Sequence, residues 1–175
     1  MDSPATLLRA RELLARHTER ELPDLSRWSQ RSPHSGQRED ALYGSLLEAA
    51  FLMAAADGEL TREEVGELAD LIARMTNQAV SPGELADSIG DYAKQLEEVG
   101  RSAMIAALAA SCTDPSDRRK VLHFAILVAL CDRELAPSEL FVLHSLGRAF
   151  GLGTDQVNGS VRTLRDELGI PAPQG

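Results

Sequence analysis

The chain has 175 residues, 43% apolar and only 4% aromatic, which is enough for one domain with a buried core. Ala and Leu dominate and β-branched residues are few, so the composition favours helix over sheet. The formal net charge of −9 is concentrated in residues 39–98, with fourteen acidic and three basic groups, and so much negative charge argues against nucleic acid and leaves cations or basic protein surfaces as partners.

Ser3 and Pro4 start a first amphipathic helix, with Leu7, Leu8, Leu14 and Leu22 near one face. Residues 23–37, rich in Pro, Ser and Gly, read as a linker. Trp28, the bulkiest side chain in it, either pins the linker to the body or stands exposed as a docking residue. The expected division is an N-terminal helical extension and linker over 1–37 and a helical domain over 38–170.

From Arg38 to Ala56 the apolar residues recur at three and four, the helical spacing. "DGEL" ends this helix, and Gly58 there suits a left-handed cap. Thr61 with Glu64 three residues on forms a capping box for the next helix, flanked by Leu60 and Val65 at staple positions. Ser81, Pro82 and Glu84 start another, reaching about Val99 and ending at Gly100. An Ala-rich helix follows over 101–112. Asp114 and Pro115 open the most apolar helix of the chain, which should be central. "DREL" ends it, Pro137 starts its partner, and "GLG" at 151–153 stops that partner. Thr154 caps a last helix to about Leu168, and the tail "GIPAPQG" is expected to be loose. The fold class is all-α, a single bundle of about seven to eight helices.

Segments 43–75 and 118–150 correspond at an offset of 75, each a helix, a tight acidic turn and a second helix. Asp57 matches Asp132, Glu59 matches Glu134, Leu60 matches Leu135 and Glu64 matches Glu139. An internal duplication of helical hairpins is the simplest account. Capping explains Glu64, and Glu59 and Glu63 suit a helix N-terminus. Asp57 and Asp132 are different: at a helix C-terminus an anion meets the negative end of the dipole. In the second copy Arg133 replaces the glycine and Ala136 is a poor N-cap, yet the acids persist.

This doubled signature, "ADGELTREEVGELADLI" and "LCDRELAPSELFVLHSLGRAFGL", resembles the TerB-like family, which spans the tellurite-resistance TerB domain and the N-terminal domain of the DnaJ-type co-chaperone DjlA. The resemblance covers about 40–168. It implies an all-helical bundle, a stress-response setting and a surface cluster of acids that binds divalent metal. Carried over by position, the cluster is Asp57, Glu59 and Glu64 with Asp132, Glu134 and Glu139. Arg133 departs from the family's glycine and brings a cation beside the second turn. No J-domain accompanies the match, so co-chaperone activity is not implied.

Carboxylates alone suit Ca²⁺, Mg²⁺ or Mn²⁺, whereas Zn²⁺ would want His or Cys, and neither turn contains one. Neither turn has the EF-hand spacing, and the chain has no HExxH or ExxH pair, no phosphate loop and no nucleophile elbow. His123 and His144 read as core or edge residues, and Cys112 and Cys131 as small buried thiols outside any disulfide framework. No window approaches a membrane span and no signal peptide is visible, so the expected location is the cytoplasm. The expected role is a non-catalytic module whose acidic turns hold a divalent cation. The alternative is an adaptor whose acidic face docks an unidentified basic protein, with the N-terminal helix or Trp28 as a second contact.

Overall fold

The computed structural model describes residues 37–58, 60–75, 81–131 and 135–171. The N-terminal helix, the linker and Trp28 lie outside them, as do Glu59, Asp132, Arg133 and Glu134. Seven helices and no strand are present among the described residues: α1 Gln37–Ala54, α2 Arg62–Met75, α3 Pro82–Val99, α4 Arg101–Ser111, α5 Pro115–Leu130, α6 Pro137–Ala149 and α7 Thr154–Leu168. The all-α expectation holds, with helix limits close to those read from the caps.

The core is the α1–α5 pair, the most extensive helix contact in the fold. Every residue from Phe124 to Cys131 is buried, and α1 buries Leu46, Leu47 and the run from Ala49 to Met53. Helices apolar on nearly all sides cannot lie at a surface. At roughly 1.5–3 kcal/mol for each large apolar side chain removed from water, this pair dominates folding. The remaining helices cover it: α3, α4 and α6 pack on α1, and α6 and α7 pack on α5. Tyr92 of α3 reaches α1, its ring 5.8 Å from that of Phe51 and its hydroxyl donating to the Gly44 carbonyl at 3.2 Å.

The starts of α2 and α6 keep the 75-residue offset. Their surroundings differ. α6 packs on α5, whereas α2 lies mainly against α3, with Leu68 and Ile72 of α2 and Leu85 and Ile89 of α3 buried.

The helix ends show how the chain closes its hydrogen bonds. Asp114 caps α5, its carboxylate accepting from Ser116 and Asp117 N–H at 2.8 and 3.3 Å. Ser81 and Glu84 form the reciprocal box on α3. Gly151, at φ +83°, and Gly169, at φ +69°, end α6 and α7. At each the next two amides turn back, Gly151 to Arg148 and Leu152 to Gly147, Gly169 to Asp166 and Ile170 to Arg165. Two expectations are corrected here. The N-cap of α7 is Gly153, with Thr154 the first helical residue and the Gln156 side chain accepting the Gly153 N–H at 2.9 Å. The start of the tail is not loose, because Ile170 is buried and completes the α7 stop.

Arg118 of α5 ties two further ends together. It donates to the carbonyls of Cys112 at 2.6 Å, Ala109 at 3.2 Å and Phe150 at 3.4 Å, with its guanidinium carbon 5.9 Å from the centre of the Phe150 ring. His144 of α6 and Asn158 of α7 hydrogen-bond at 2.9 Å, which gives His144 a cross-linking role.

Gly147 lets α6 and α7 approach closely. A Cβ there would stand 2.3 Å from Val157 Cγ2. Gly147→Ala should therefore destabilise the protein by about 1–3 kcal/mol in denaturant titration, and Val157→Ala in the same chain should relieve part of that loss.

Candidate functional site

The first acidic turn follows α1. Ala55 N–H returns to Phe51, Ala56 N–H to Met53, and Gly58 N–H to Ala55 at 3.3 Å, so the chain leaves the helix by a short hydrogen-bonded turn. Asp57 and Gly58 are exposed. Gly58 does not adopt the left-handed conformation expected of a cap, and a Cβ there would meet nothing. The glycine is thus not required by the backbone here, and Arg133 at the matching position lies outside the described residues.

Thr61 and Glu64 form the capping box of α2. The Glu64 Oε2 accepts from Thr61 N–H at 2.7 Å and from Thr61 Oγ1 at 2.8 Å, and Glu64 N–H donates to Thr61 Oγ1 at 3.3 Å. The Thr61 backbone and hydroxyl bonds hold the Glu64 carboxyl below its usual range. Leu60 and Val65 pack on the core beside it.

At the second turn, α5 ends at Leu130 and Cys131 is buried, its N–H bonded to Val128 at 3.2 Å. α6 begins after Ala136, whose N–H donates to Glu139 Oε2 at 2.7 Å. Alanine has no side-chain oxygen, so only this return half of a capping box exists. Glu64 and Glu139 therefore occupy the same place, the third residue of a helix, and do the same capping work.

Among the described residues, no three of His, Cys, Asp and Glu come within reach of one ion. Asp57, Glu64 and Glu139 do not by themselves make a cage. Glu59, Asp132 and Glu134, the other half of the expected cluster, lie outside the described residues. By chemistry the six fit a hard cation, since each brings only carboxylate oxygens. Asp57 is the most available of the described three: it is exposed, and it makes no hydrogen bond or ion pair among the described residues.

Two residues escape sequence reasoning, one at the first turn and one within α1. Arg101, the first residue of α4, donates through Nη2 to the Ala55 carbonyl at the start of the first turn. Its signal was a cation at the unfavourable end of its own helix dipole. Glu48 of α1 is half-buried and makes no hydrogen bond or ion pair among the described residues. Burial pushes its carboxyl up to about 7. Tyr92, on the helix facing it, is pushed up to about 12 by burial and then by the Glu48 charge. The signal for Glu48 was a lone acid within an apolar helical stripe. Burial also raises the Cys112 thiol, so it has little thiolate character.

A family model, Tellurite resistance protein TerB, matches residues 43–160 and so takes in both acidic turns. No curated protein and no solved structure matches the chain.

The Glu48 carboxyl is raised from 4.5 to about 7 on folding, so the folded chain holds a proton that the unfolded chain has released between those values. Its contribution is complete below about pH 4.5 and is lost as pH rises through about 7. Glu48→Gln should remove this fall from the pH profile of the melting temperature. It should also stabilise the protein at pH 8 by on the order of 1 kcal/mol, after allowing for solvent around a half-exposed group. At the second turn, Ala136→Ser should supply the missing cap and stabilise by about 0.5–1 kcal/mol, while Thr61→Ala should cost a similar amount, both read by denaturant titration.

Proposed function

The chain belongs to the TerB family, and we propose that it acts by binding rather than catalysis, with the two acidic turns holding a divalent cation. The observation that carries this reading is Asp57. It stands exposed past the C-terminal end of α1, with no hydrogen bond or ion pair among the described residues. The helix dipole disfavours an anion there, so no structural reason for it is apparent. Glu64 and Glu139, at matching places in the two turns, each use one carboxylate oxygen for capping. The holders would be Asp57, Glu59 and Glu64 with Asp132, Glu134 and Glu139. Ca²⁺, Mg²⁺ or Mn²⁺ would supply the charge that neutralises these acids. The family's description, tellurite resistance, supports tellurite or other metal stress as the setting.

A second reading has its own observation. α2 and α3 pack together and leave Glu63, Glu67, Asp70, Asp87 and Asp91 exposed. This acidic face would dock a basic protein surface, with an on-rate that falls as salt rises.

Calorimetric titration with Ca²⁺, Mg²⁺, Mn²⁺ and Zn²⁺, beside Asp57→Asn/Asp132→Asn, separates the two. The expected result is saturable uptake of a hard cation that the double variant loses. No heat and no rise in melting temperature with any ion would refute the metal reading. Salt-sensitive capture of a Lys- and Arg-rich peptide would then favour docking.

A further inference from the structure

Arg101 opens α4 directly after Gly100, which at φ +79° joins α3 to α4 without a loop. Its side chain leaves its own helix and donates through Nη2 to the Ala55 carbonyl. That carbonyl also accepts the Gly58 N–H, the bond that closes the turn carrying Asp57. One acceptor therefore receives both the turn's own amide and a cation from another helix. The Arg101 Nε is buried with no hydrogen-bond partner among the described residues. Among the described residues the side chain's bond to Ala55 is the one it makes.

Two features make this more than a packing contact. α1 has no basic residue in its last turn, so Arg101 supplies the cation that its C-terminal carbonyls favour. Arg101 also bonds a carbonyl and makes no ion pair with Asp57, so Arg101 does not neutralise the carboxylate.

We propose that Arg101 is the positioning residue of the first acidic turn: holding the Ala55 carbonyl from α4, it keeps the 55–58 turn closed and Asp57 preorganised for a divalent cation. The cation part of this rests on the reading above, and the closed turn does not.

The test is residue-resolved amide hydrogen exchange of the metal-free protein, with calorimetric Ca²⁺ and Mn²⁺ titrations, on wild type, Arg101→Met and Arg101→Lys. Met keeps the aliphatic stem and removes the donor. The Gly58 amide of Arg101→Met should exchange about tenfold faster while amides within α5 keep their wild-type rates. Cation affinity should fall about tenfold. Arg101→Lys keeps a charged donor and should recover most of both losses. Wild-type exchange at Gly58 in Arg101→Met, or exchange raised equally in α5, overturns the positioning role whatever the ions do. Tighter cation uptake by Arg101→Met overturns it too, since Arg101 would then be competing with the ion. If the wild type takes up no ion, the metal reading fails and the Gly58 rate alone decides whether Arg101 holds the turn.

Discussion

The need to hide α1 and α5 from water governs the rest of the molecule. Neither helix has a polar face wide enough for the surface, since α5 is buried without interruption from Phe124 to Cys131 and α1 from Ala49 to Met53. They bury each other first and the remaining sides need cover. Helices α3, α4 and α6 give it to α1, and α6 and α7 to α5. Both acidic turns lie where a core helix emerges from this packing. Their position is a consequence of the core.

Emerging helices bring a second constraint. The last carbonyls of a helix lack partners within it and carry its partial negative charge. In this chain α1, α3, α4 and α5 have no basic residue in their last turns. At α1 and α4 the charge comes from elsewhere: Arg101 serves α1, and Arg118 serves α4 while also reaching the end of α6. The ends of α6 and α7 are closed instead by glycines at positive φ. A molecule of strongly negative net charge thus places arginines among its helix ends, while α2 and α3 expose acids to solvent.

Most of this fold was legible in the residues. Apolar spacing identified the helices, and Thr61 with Glu64, Ser81 with Glu84, Asp114 with Pro115 and Pro137 marked their starts. These signals are local, and local chemistry survives into the folded state. The errors were of one kind, a residue judged without its neighbours in space. Gly58 looked like a left-handed cap, yet the turn closes without positive φ. Thr154 looked like a cap, but Gly153 stands there with Gln156 answering it. The tail looked free, but Ile170 is drawn into the core. Arg101 was passed over because its partner, Ala55, is 46 residues away. The candidate site divides the same way. The carboxylates and their repeat were visible in sequence. The capping bond of Glu64 was legible too, while the bond from Ala136 N–H to Glu139 and the exposure of Asp57 depend on the fold.

The arginine contacts also bear on how the chain folds. A repeat array can gain or lose units one at a time, because each unit meets only its neighbours. Here the end of the first hairpin's leading helix is completed by α4, and α4 is completed by a residue of α5 that also grips α6. The first hairpin does not contain everything its own ends require. A fragment cut between the two halves would expose apolar core and carry helix ends without their cations. The two halves should therefore have little independent stability, and the bundle is expected to unfold as one cooperative unit in spite of its repeated pattern.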